Sequence, residues 1–312
     1  IRNKQGRCII PGSSLKGLLR SVVETLCSGC LTGYEDKHIS SPAPGKFSPC
    51  HDNTLLCLSC RIFGMMSRQR NARVFLGKVS VEDALVYEEM LAFYEPLYTA
   101  ILDQPKPHHR AFYLNPQGKV AGRKFYFHHG DGDLSTADNL VPVRSSPGKY
   151  RNQYIQPIAT GTWFSGRLNF HNLEPDEFAA LLLALTLESG MRHKIGYGKP
   201  LGLGSISIEV AELFLLDYAT RYTSIRANAF RGFTSLDGDD AREYIEDRAA
   251  SFDRKIHTAW CCFSSQPSLS RLHDIWEWPP DPSVRYCYPS QGWFKRNPQA
   301  RIADTRDLYP GD

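Results

Sequence analysis

The sequence has no apolar run long enough to cross a bilayer. Its longest strongly apolar stretch is residues 179–187, where a spanning helix needs roughly 20 residues. It also lacks a basic opening followed by an apolar segment, the mark of a secretory leader, so a cytoplasmic location is expected and no membrane partner. No internal repeat, heptad run or collagen-like glycine period is present. With 42% apolar and 22% charged residues, the composition excludes a largely disordered chain. The 312 residues suffice for one large domain or two ordinary ones. The opening residues 1–7 read as the interior of a longer unit. Its first strand is expected upstream of Ile1 or on another chain.

Charge is spread unevenly. Residues 1–170 hold 21 Lys and Arg against 13 Asp and Glu, a balance of +8. Residues 171–312 hold 16 against 20, a balance of −4. A basic half fits a polyanionic partner, and equally an ordinary solvated surface.

Of the nine cysteines, Cys27, Cys30, Cys50, Cys57 and Cys60 fall within 34 residues. In a reducing compartment, clustered thiols bind metal more often than they form disulfides. Cys57 and Cys60, two residues apart, can grip one tetrahedral ion; Cys50 and one earlier cysteine would complete four ligands. The polar segment 32–55 is a poor core, which favours zinc over buried thiols. Cys8, Cys261, Cys262 and Cys287 read as small buried hydrophobes.

After a Pro-Gly-Ser-Ser break at residues 11–14, which is expected to cap the helix, Leu15, Leu18, Leu19, Val22, Val23 and Leu26 make one amphipathic stripe. Residues 73–84 and 161–170 read as strands. Residues 174–177 open a second helix, with proline in its first turn and acids at its positive end, expected to run to Ser189 and stop at Gly190. Residues 204–213 read as a third strand and 239–259 as a further helix. With one strand supplied upstream, the order is that of a β-α-β-β-α-β, ferredoxin-like α+β unit over 1–213. Insertions lie at 27–64 and 84–156. Residues 214–312 form a helical and irregular extension, unassigned beyond Trp276.

Three segments carry the binding chemistry. At the start of the first helix, Gly12, Ser13, Ser14, Lys16, Gly17 and Arg20 offer backbone amides, hydroxyls and charge to a phosphate, or merely cap a helix. The loop at 194–205 places Lys194, Gly198, Lys199 and Gly202 where a phosphodiester chain can lie, or makes a tight packing turn. It is neither a Walker loop nor a dinucleotide fingerprint. Residues 122–129 interleave Arg123, Lys124 and Tyr126 with other aromatics, a mix that stacks bases and holds phosphates, or forms a buried edge strand. His108-His109 and His128-His129 are weaker candidates for acid–base RNA cleavage. Asp131 and Asp133 suit a turn as well as a metal.

These segments resemble the RAMP superfamily, the backbone subunits of type III CRISPR effectors. Residues 10–20 resemble its IPGSSLKGxxR signature, and residues 50–64 its Cys-x-x-Cys ending before an aromatic-glycine step. Residues 122–129 and 196–205 are similar to stretches of the subgroup that includes the terminal RAMP module of the giant single-chain effectors. The resemblance covers about residues 1–213. It implies an RRM-like fold lying along guide RNA, with a thumb-type insertion at the guide–target duplex and neighbouring RAMP modules as partners. It aligns Cys30 rather than Cys27 as the early ligand, giving Cys30, Cys50, Cys57 and Cys60 as the zinc set. It implies guide binding as part of an RNA-guided endoribonuclease complex in antiviral defence, with no catalytic residue assignable in this chain. The alternative is an RNA-cleaving subunit whose aspartate lies upstream of Ile1.

Overall fold

The computed structural model describes residues 1–31, 47–51, 54–66, 74–102, 110–129, 144–146, 149–150, 152–222, 232–259, 267–284, 286, 289 and 291–301. A short strand β1 (Ile9–Ile10) leads into helix α1 (Gly12–Leu26). The 3.6-residue spacing of its leucines and valines puts Leu19, Val22 and Val23 inside. Helix α2 (Leu58–Phe63) continues into β2 (Gly64–Met66), which pairs with β3 (Val74–Leu76). Then come β4 (Val79–Val81) and β5 (Ala84–Val86).

The strand read at 73–84 is therefore three ladders. Gly77 is the break: a Cβ there would strike the Phe63 carbonyl, so only glycine lets the chain cross so close to α2. After small strands β6 (Leu97–Tyr98), β7 (Arg144–Ser146), β8 (Lys149–Tyr150) and β9 (Tyr154–Ile155), with a helical turn α3 (Arg110–Tyr113) among them, the chain returns as β10 (Phe164–Ser165) and β11 (Leu168–Phe170). β10 lies antiparallel to β5 and β11 to β4, with Phe164 opposite Val86 and Leu168 opposite Val81. β1 adds to the other side of β5, also antiparallel. Strands joined through one crossover helix run parallel, so β1 does not occupy the first-strand place of the ferredoxin-like order.

Helix α4 (Pro175–Thr186) opens with a capping box between Glu174 and Glu177. It ends at Leu187, in the left-handed region at φ 58, not at Gly190. Strands β12 (His193–Lys194) and β13 (Ser205–Ile206) form their own ladder. Only 205–206 of the strand expected over 204–213 is realised there. The next strand, β14 (Glu212–Leu216), pairs instead with β15 (Phe233–Asp237), on either side of a helical turn α5 (Tyr218–Arg221).

Helices α6 (Gly238–Ala259), α7 (Pro267–Trp276) and α8 (Gln291–Arg296) complete the order. The main core joins Leu19, Val22 and Val23 of α1 to Ile62 of α2, Val79 of β4 and Leu181 and Leu183 of α4. Ala249 and Phe252 of α6 and Leu272 and Trp276 of α7 belong to the same cluster. The C-terminal extension thus shares the core of the preceding residues. No helix among the described residues is long and apolar enough to cross a membrane.

Candidate metal centre and nucleic-acid face

Cys57 caps α2 and Cys60 follows three residues later, so one helical turn aims both sulfurs to one side. Cys30 arrives from the turn after α1, where Ser28 takes φ 48. Cys50 comes from the loop before α2. The four sulfurs lie within 4.8 Å of one another and can hold a metal ion. Cys30 Sγ is 3.5 Å from Cys60 Sγ and 3.7 Å from Cys57 Sγ. A tetrahedral thiolate site with metal–sulfur bonds of about 2.3 Å has sulfur–sulfur edges of about 3.8 Å. A disulfide needs about 2.05 Å. The donor set fits a tetrahedral thiolate-binding ion.

Crowding shifts the thiols apart: contact with the Cys30 and Cys60 sulfurs holds Cys57 down. The contact with the Cys57 sulfur pushes Cys30 up to about 12. Donation to Cys30 and Cys57 raises Cys60. Cys27 takes no place in this group. It lies in the main apolar core, where burial pushes its thiol up to about 12.

The start of α1 departs from the expected phosphate cradle. Its N-cap is Pro11, with no side-chain cap, so Ser13 and Ser14 sit inside the first turn and cap nothing. The Gly12 N–H already donates to Asp83 Oδ1 at 2.8 Å. A Cβ on Gly12 would strike the Val81 carbonyl, so its glycine serves packing against the β4–β5 segment. Lys16 Nζ donates to the Val79 carbonyl at 2.7 Å, and burial lowers its pKa. Arg20 Nε donates to Glu24 Oε1 at 2.8 Å, one Nη to the Gly64 carbonyl at 2.9 Å, and the other to Cys60 Sγ at 3.6 Å. Burial pulls the Arg20 pKa down, but the Glu24 hydrogen bond and charge leave it raised. Ser13, Ser14 and Gly17 remain exposed, and Gly17 has open space where a side chain would stand.

The segment 122–129 makes no ladder. Arg123 turns inward, donating to Glu24 Oε2 at 2.7 Å and to the Gly29 and Cys30 carbonyls at 2.8 and 3.0 Å. The Lys124 ammonium lies 4.8 Å from the centre of the Tyr126 ring, and Phe125 packs edge-on against Trp276. His128 is satisfied on both nitrogens, by Ser205 Oγ at 2.7 Å and the Arg192 carbonyl at 3.0 Å. Burial pushes its pKa down to about 4, and that of His129 likewise. Neither imidazole is poised for proton transfer at neutral pH. His108, His109, Asp131, Asp133, Cys261, Cys262 and Cys287 lie outside the described residues.

The glycine loop is a tight turn. Gly198 and Gly202 take φ 74 and 91, and a Cβ on Gly202 would come within 2.9 Å of the His129 ring. Lys194 is buried and donates to the Gly202 carbonyl at 3.0 Å, and desolvation brings its pKa down to about 8. Lys199 is half-buried on the short turn beside Gly198.

Sequence reasoning missed three carboxylates: Asp83, Glu24 and Glu177. Glu24 signalled its pairing by standing four residues after Arg20 on one helix, and Glu177 was legible as a helix-opening acid while its ion pairs were not. Glu177 is fully buried, with Arg61 and Lys78 each at 2.6 Å, which ties the helix of Cys60 to α4.

Among curated proteins no match is found. The RAMP superfamily profile matches residues 1–207. That span takes in α1 and its open face, the four-cysteine centre, the β4–β11 and β5–β10 ladders and the glycine turn, and the chain belongs to the RAMP superfamily.

Proposed function

We propose that this chain is a guide-RNA-binding backbone module of a type III CRISPR effector, working beside other RAMP modules in the cytoplasm, with zinc on Cys30, Cys50, Cys57 and Cys60. Within that superfamily we read it as similar to the terminal RAMP module of the giant single-chain effectors. The order of α1, the paired strands and α4 supports a ferredoxin-like frame. The observation that carries the reading is the solvent-open strip of Ser13, Ser14 and Gly17 on the signature helix. A glycine inside an exposed helix costs about 0.5–1 kcal/mol against alanine, and among the described residues nothing packs on this one. Close approach by a sugar-phosphate backbone gives that position a use. Hydroxyls and backbone read phosphate and sugar rather than base edges. Among the described candidate cations, Lys16, Arg20, Arg123 and Lys194 hold internal partners and Lys124 lies over the Tyr126 ring, which leaves Lys199 of the glycine turn to face RNA. Bound zinc would supply a cross-link that fixes the turn after α1 to α2, added to the small apolar cluster of Met65, Leu56 and Phe75 around the sulfurs.

Filter binding of single-stranded RNA at several salt concentrations tests the reading. Affinity should be insensitive to base sequence at constant length. Lys199→Ala should reduce the salt slope by about 0.7 for one lost phosphate contact. Absence of binding, or strong sequence preference, overturns it. Metal analysis of protein purified without chelator should find one zinc per chain.

A further inference from the structure

The two arginines best placed in sequence to hold RNA both reach the cysteine centre. Arg20 donates to Cys60 Sγ and, through its fork, to the Gly64 carbonyl and Glu24. Arg123 takes the other oxygen of the same carboxylate and both carbonyls of the turn that carries Cys30. Glu24 is buried, and its two oxygens are divided between the two guanidiniums at 2.8 and 2.7 Å. We infer that Arg20 and Arg123 are positioning residues of the metal centre, joined by Glu24 into one lock, so that metal and the 122–129 segment are held together. The inference rests on the metal reading above and extends it from the ligands to their support.

Four thiolates around a divalent ion leave a net double negative charge. An N–H donor on one sulfur draws off electron density and resists its protonation and loss. Arginine suits this task because its planar fork can serve sulfur, carbonyl and carboxylate at once, which a lysine ammonium on a flexible stem cannot. Arg123 does not touch sulfur. It fixes the backbone that aims Cys30, and through the same residue fastens 122–129 to α1.

The test uses the full chain loaded with zinc, and with cobalt as an optical probe. Arg20→Met should weaken zinc binding about 10–100-fold, the usual cost of losing a supporting contact to a ligand, seen as faster release to a chromogenic chelator. It should also shift the thiolate-to-cobalt charge-transfer band. Arg20→Lys should recover only part of either effect. Because Arg20→Met leaves the buried Glu24 carboxylate with Arg123 as its one guanidinium partner, Arg20→Met with Glu24→Gln is measured beside it. The pair removes the half-satisfied carboxylate and should still shift the band. Arg123→Ala should speed release, and metal removal from wild type should raise hydrogen exchange in 122–129. Wild-type release kinetics and an unshifted cobalt band in the double variant overturn the lock while leaving the metal reading intact. Wild-type protein without metal overturns the metal reading itself.

Discussion

At the residue scale, charge was legible and its direction was not. Lys16, Arg20, Arg123 and Lys194 were visible as cations beside glycines and serines, a pattern that fits phosphate. Each finds an internal carbonyl, carboxylate or sulfur instead, because a half-buried cation must be paired or pay desolvation. The same burial makes the imidazoles a source of pH dependence. His128 and His193 are each held down to about 4 by burial, against about 6.5 when unfolded. Between these values the unfolded chain binds protons that the folded chain refuses, so stability rises with pH from about 4 to about 6.5 and levels off above. Each group contributes at most about 3 kcal/mol to that rise. Denaturant unfolding across this range should show the slope, and His128→Asn should reduce it, with His129 and His193 left to titrate. An unchanged slope in that variant would place the titration elsewhere.

At the element scale, the three longest helices were read closely, while the shorter helices and the strands were not. The apolar stripe of α1 and the Glu174–Glu177 box of α4 are local signals. Ladders need a partner, so the strand expected over 204–213 stops at Ile206, where its pairing with His193 ends. On α1, Gly17 is helical, exposed and unopposed. Gly17→Ala should stabilise the fold by about 0.5–1 kcal/mol, seen as a small rise in melting temperature. Gly17→Gln should keep the fold and its metal content while lowering RNA retention, since its side chain stands where a backbone would approach. Full RNA binding by Gly17→Gln would move the RNA path off this helix. In the glycine turn the expected result is opposite. A Cβ on Gly204 would strike the Ile195 carbonyl, so Gly204→Ala should destabilise.

At the scale of the whole molecule, the extension after residue 213 completes the interior. Trp276 is 1% exposed, packs edge-on against Phe125 and sits in one cluster with Leu19 and Leu181. Trp276→Ala should therefore cost about 3–5 kcal/mol of global stability, measured by denaturant unfolding as a single shifted transition that includes α1. A separate early transition, with α1 unaffected, would show that the extension folds as its own unit. By itself the sequence determined what depends on near neighbours: the α1 stripe, the capped start of α4, the tight Cys57–Cys60 pair and the uneven charge. The tertiary structure decided what depends on distant partners. It put Cys30 rather than Cys27 among the four clustered sulfurs, in line with what the resemblance implied, because the turn at Ser28 sends one to the sulfur centre and α1 leaves the other in the core. It turned Arg20 and Arg123 inward, because Glu24 and the Cys30 carbonyl, brought close only by folding, satisfy their charge more fully than solvent across a half-buried face.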